Sequence, residues 1–203
     1  MIGVYRVLAV ATAISISAVS TVWAQQQQAT RIRGTIEKLD GDTLSVKSRE
    51  GAELQVKLTD DVRVVDVVKA SLSDIKAGFF VGSAAMPQAD GSQKALEVHI
   101  FPDSMRGTGE GHRPYTIPNS TMTNGTVGAD VTSVDGLTIT LKYKEGEKKI
   151  IVSPGVPVVR YEIGSKNDLK PGAAFTILSA VKKPDGTLET ARVNVGRDGT
   201  VPE

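Results

Sequence analysis

The chain has 203 residues, no cysteine, and 24 lysines and arginines against 23 aspartates and glutamates. This near-neutral balance argues against a partner held by bulk charge, such as nucleic acid or an anionic membrane. The lack of cysteine excludes thiol catalysis, disulfide bracing and cysteine-linked lipid, so the core must hold unaided.

Residues 1–24 have the pattern of a secretory signal peptide. Arg6 supplies the positive start, Val7 to Val19 is an apolar run of small residues, and Val22-Trp23-Ala24 precedes the expected cleavage. The run is too short and too rich in serine and threonine for a membrane anchor, which needs about 20 apolar residues. A periplasmic or secreted location is therefore expected. No second apolar segment follows, so no transmembrane segment is expected in the mature chain. Residues 25–30 read as a disordered polar start.

Much of the remainder occurs twice. Ser71-Leu72-Ser73-Asp74-Ile75-Lys76-Ala77-Gly78 is matched by Ser165-Lys166-Asn167-Asp168-Leu169-Lys170-Pro171-Gly172. Thr43–Lys47 matches Thr138–Lys142, and Ala95–Ile100 matches Thr190–Val195. Such internal repetition decides how the fold is read. In each copy Asp-Gly and Glu-Gly dipeptides separate runs of period-two alternation, which predicts hairpins of half-buried strands. Ser71/Asp74 and Ser165/Asp168 have capping-box spacing, and Gly78 and Gly172 stand where a single helical turn must stop. The reading is all-β: two tandem small OB-like barrels, over 31–101 and 125–197, each closed around its own apolar interior. Residues 102–124, rich in glycine and proline, read as a linker, and 198–203 as a polar tail.

The chemistry is sparse. His99 lies in a strand where Leu96, Val98 and Ile100 are expected to face inward, so it is expected on the surface. His112, beside Glu110, lies in the linker. His112, Glu110 and His99 are the candidate metal ligands, although their spacing matches no recognised zinc or calcium motif. Arg106, Arg113 and Tyr115, also in the linker, are the candidate ligand- or partner-binding residues. Ser73 and Lys76 have Ser-x-x-Lys spacing, but the companion motifs of that enzyme class are missing, and the capped turn accounts for the pair. Gly107-x-Gly109-x-Gly111 neither follows a strand nor opens a helix, so it is no nucleotide fingerprint. Phe80 and Phe175 are expected in the core rather than as stacking platforms.

With these residues laid out, the chain resembles exported bacterial β-barrel repeat domains of unknown function. The resemblance rests on Gly34-Thr35-Ile36, on Asp74-Ile75-Lys76-Ala77-Gly78 and Asp168-Leu169-Lys170-Pro171-Gly172, and on the Asp-Gly-[Ser/Thr] turn before the last strand. In the second copy Ala129-Asp130-Val131 stands where the first has Gly34-Thr35-Ile36. The resemblance implies a fold and carries over no catalytic residue and no cofactor. The function expected is a non-enzymatic binding or scaffold module of the cell envelope, with an unidentified protein or small-molecule partner. A metal-binding accessory protein and an uncharacterised hydrolase are the alternatives.

Overall fold

A computed structural model describes residues 29–129 and 136–202. Residues 1–24, where a signal peptide is expected, lie outside the described residues. Twelve strands form one continuous, strongly curved sheet. They are β1 (Ala29–Asp40), β2 (Thr43–Ser48), β3 (Glu53–Ala70), β4 (Phe80–Pro87), β5 (Gln93–Ile100) and β6 (Gly111–Pro114). They continue with β7 (Thr121–Val127), β8 (Leu137–Tyr143), β9 (Gly146–Val152), β10 (Val158–Ile163), β11 (Ala174–Lys182) and β12 (Leu188–Gly196). The only helical elements among the described residues are single 3-10 turns, at 72–74, 103–105 and 166–168.

The expected capped turns are present. In the first, the Ser71 amide donates to Asp74 Oδ2 at 2.9 Å; in the second, the Ser165 amide donates to Asp168 Oδ2 at 2.8 Å. Gly78 and Gly172 follow with φ of +83° and +84°, a left-handed conformation that costs glycine little.

The strand pairing departs from the expectation that each half closes alone. β1, β2 and β3 form a meander, but β1's other edge takes β11 and β3 pairs in parallel with β12. With β11 on β12, five strands close a barrel. Three of its strands come from the first half and two from the second. The reverse set, β7-β8-β9 with β4 and β5, closes a second ring through the parallel β5–β9 pair.

The apolar cores follow the same exchange. One cluster joins Ile36, Leu44, Val46, Val56 and Leu58 to Leu169, Phe175, Ile177, Val193 and Val195. The other joins Val81, Val98 and Ile100 to Ile139, Leu141, Ile150 and Val152, with Ile75 from the first capped turn. Each helical turn therefore lends its apolar residue to the ring built mainly from the other half. In the first half the crossing runs along β3. It runs unbroken for 18 residues, a length of roughly 60 Å, and so delivers β4 and β5 well away from β1 and β2. Its counterpart is interrupted at Ser153–Pro157, where two prolines split β9 from β10.

The opening of the second meander also falls elsewhere than expected. Asp130 and Val131 lie outside the described residues, and Gly125-Thr126-Val127 does what Gly34-Thr35-Ile36 does. The Gly172 amide donates to Ile36 O and the Gly78 amide to Val127 O, both at 2.8 Å. A Cβ on Gly34 would strike the Lys47 carbonyl, and one on Gly125 would approach the Lys142 carbonyl to 2.5 Å.

A third cluster fills the seam between the rings: Val65, Val67, Phe80, Phe101, Val159 and Tyr161. Phe101 meets Tyr161 edge to face, with ring centres 5.1 Å apart. Nor are residues 102–124 a free spacer. They hold β6 and the start of β7, which form a hairpin on the second ring, with the Tyr115 amide donating to Ser120 O at 2.9 Å.

Candidate functional site

The seam carries the cleft that bears on function. Its floor is β5, and β5 is where simple alternation fails. Ala84 pairs with Glu97 and Ala85 with Ala95, so Leu96 is the extra residue of a β-bulge. The bulge leaves Leu96 36% exposed, while Glu97 is covered at the seam, at 7%. His99 is also buried, at 4%, contrary to the expected surface position. Beyond the bulge β5 is hydrogen-bonded on both edges, to β4 and β10. One face packs Val98 and Ile100 into the second ring, and the other sets His99 against Tyr161 at the seam.

Within this buried stretch the His99 ring stacks on Tyr161 at 5.2 Å, and its Nε2 lies 3.3 Å from Glu97 Oε1. Burial, reinforced by the Glu97 charge, pushes the Tyr161 phenol well above its ordinary pKa, so it stays protonated. Nearby, Arg192 donates from Nε to Asn194 Oδ1 at 3.0 Å, and burial pulls its pKa below the usual guanidinium value.

Over Glu97 opens a cleft of about 470 Å³. Ala70, Leu96, Val156, Pro157, Ile117 and Val201 make its walls largely apolar, and Arg33, Lys69 and Glu97 supply the charges. Three separate segments close it: the β6–β7 loop with Tyr115 and Ile117, the β9–β10 connection, and the C-terminal Gly199–Val201. The last is no loose tail. Thr176 Oγ1 donates to Pro202 O at 2.9 Å, and the Thr200 amide donates to Arg197 O at 2.9 Å. Thr200 itself is buried, with no partner for its Oγ1 among the described residues. At the rim Arg31 lies over the Tyr115 ring, 5.1 Å from its centre, and donates to Thr116 Oγ1 at 3.1 Å.

Of the residues singled out in the sequence, only Tyr115 lines this cleft. Glu110, His112 and Arg113 share a second depression of about 510 Å³ with Tyr143, Glu145 and Lys148, open and mixed in character. There His112 Nδ1 bonds Thr123 Oγ1 at 2.8 Å, and burial, aided by Lys148, lowers the imidazole pKa. Arg106 is engaged elsewhere, donating to Gly78 O at 3.1 Å and Asp103 Oδ1 at 2.7 Å. The two histidines do not meet. His112 sits on β6 and His99 on β5, with β7 and β4 between them, a separation of about 14 Å at the usual strand spacing. No described group of three His, Cys, Asp or Glu side chains is placed to hold a metal ion.

Sequence reasoning missed Glu97, Leu96, Lys69, Arg33 and Thr200. The signal for Glu97 was weak, because it is one of four polar residues on β5, with Gln93, Lys94 and His99. No protein-family model, no curated protein and no solved structure matches the chain. No described helix is long and apolar enough to cross a membrane.

Proposed function

We propose that the protein is an exported, non-enzymatic binding module made of two OB-like barrels that have exchanged their closing hairpins, and that it binds a small ligand in the seam cleft. Export is supported by the signal-like residues 1–24. The OB-like reading is supported by a meander of three strands, a capped turn, and a closing hairpin whose last strand runs parallel to the third. A tandem duplication accounts for the paired hydrogen bonds at Gly78 and Gly172. The binding role rests on one observation: a concave, mostly apolar cleft with a few convergent charges, the usual character of a small-molecule site. Its walls come from three segments remote from one another in the sequence.

The test is titration with 1-anilinonaphthalene-8-sulfonate, a dye that brightens in apolar clefts. Wild type is expected to bind it. Ile117→Asp, at a half-exposed cleft position, is expected to abolish binding, while Ile163→Asp, exposed and outside the cleft, leaves it unchanged. Equal binding by wild type and Ile117→Asp would overturn the reading.

A further inference from the structure

We propose that the seam cleft takes a short apolar peptide of two or three residues with free termini, its ammonium end at Glu97 and its carboxylate end at Lys69. This rests on the cleft being a binding site, and adds the chemistry it selects.

The argument starts from Glu97. Its side chain is 9% exposed, yet it lines the cleft, and no described residue donates a hydrogen bond to it. The His99 contact at 3.3 Å is off the bonding line, and Nε2 is left without a hydrogen-bond partner. A buried carboxylate without donors is costly, and an ammonium supplies three.

A simple amine does not fit the rest of the cleft, because Lys69 shares the lining and would repel it. A simple fatty acid meets the opposite conflict at Glu97. A zwitterion with an apolar body answers both charges and the walls.

The register sets the length. Val159 pairs with Lys69 on one side and His99 on the other, placing these two about 10 Å apart across the sheet. Glu97 is one step along β5 on the His99 face. Two or three extended residues span about 7–11 Å, which bridges the charges and lays the peptide side chains against Leu96, Ile117 and Val156.

The experiment is displacement of the same dye from the full chain by Leu-Leu, N-acetyl-Leu-Leu, Leu-Leu amide and octanoate. Leu-Leu is expected to displace it. Blocking either terminus is expected to weaken displacement at least about tenfold, the worth of one lost charged hydrogen bond. Lys69→Ala, a change at an exposed position, is expected to weaken Leu-Leu about tenfold and leave the amide unaffected. If N-acetyl-Leu-Leu or octanoate competes as well as Leu-Leu, the assignment of Glu97 is wrong. If Leu-Leu fails to displace a dye that Ile117→Asp abolishes, the cleft remains a site and the peptide proposal falls. If the dye does not bind at all, both fall.

Discussion

Cutting the chain between Pro118 and Asn119, in the exposed β6–β7 loop, separates the two halves without touching a core residue. Because each ring is built from both halves, neither piece is expected to fold alone. The first piece retains β1, β2 and β3 but loses Leu169, Phe175, Ile177, Val193 and Val195 from the first core. At about 1.5–3 kcal/mol for each fully buried large side chain, the loss is roughly 8–15 kcal/mol. That equals the ~5–15 kcal/mol that holds a typical domain together. Both free edges of the meander, on β1 and β3, would also lose their backbone partners. The second piece is in the same position, losing Ile75, Val81, Ala95, Val98 and Ile100. The assay is to express the pieces separately and mix them. Each alone should give the poorly dispersed amide spectrum of an unfolded chain, and an equimolar mixture should recover the dispersed spectrum and elute as one species. A single piece that unfolds cooperatively as a monomer would refute the exchange, because it would show that a half can close its own five strands.

Two further perturbations follow from particular contacts. Gly196→Ala would drive a Cβ into the Thr200 carbonyl, so residues 199–201 should lift from β12, at a cost of about 1–3 kcal/mol, and open one wall of the cleft; dye titration should show weakened binding, and unchanged binding would detach that segment from the site. The Ser165 amide and hydroxyl, with Arg197 2.7 Å away, hold the Asp168 carboxyl below its ordinary pKa. A depressed carboxyl stabilises the fold above the unfolded pKa, near about 4, and that stability is lost as pH falls through the lower folded value. Asp168→Asn should therefore lower the urea midpoint more at pH 6 than at pH 3, and an equal loss at both would show that its charge is not the cause. Its neighbour Asp66 has the opposite sign, since burial and then the Asp168 charge raise its pKa, so its cost is present at neutral pH and relieved in acid.

Much of the local structure was legible because it depends on short-range chemistry. The capped turns at Ser71 and Ser165 need only a hydroxyl and a carboxylate three residues apart, and both form. The inward positions Leu44, Val46, Val98, Ile139, Leu141 and Val193 are fully buried, as period-two alternation requires. What alternation does not encode is which strand closes which ring. A hairpin presents the same backbone donors and acceptors to either meander, and two similar cores accept either closing hairpin. Both halves make the same crossing, β12 along β3 and β5 along β9 and β10, and this appears only when the strands are placed in space. The cleft was hidden for a related reason. A bulge at Leu96 breaks the alternation of β5, and the seam packing covers Glu97 and His99 on the face opposite Val98 and Ile100. The walls come from residues 33, 69, 117, 156 and 201, which only the exchanged packing brings together.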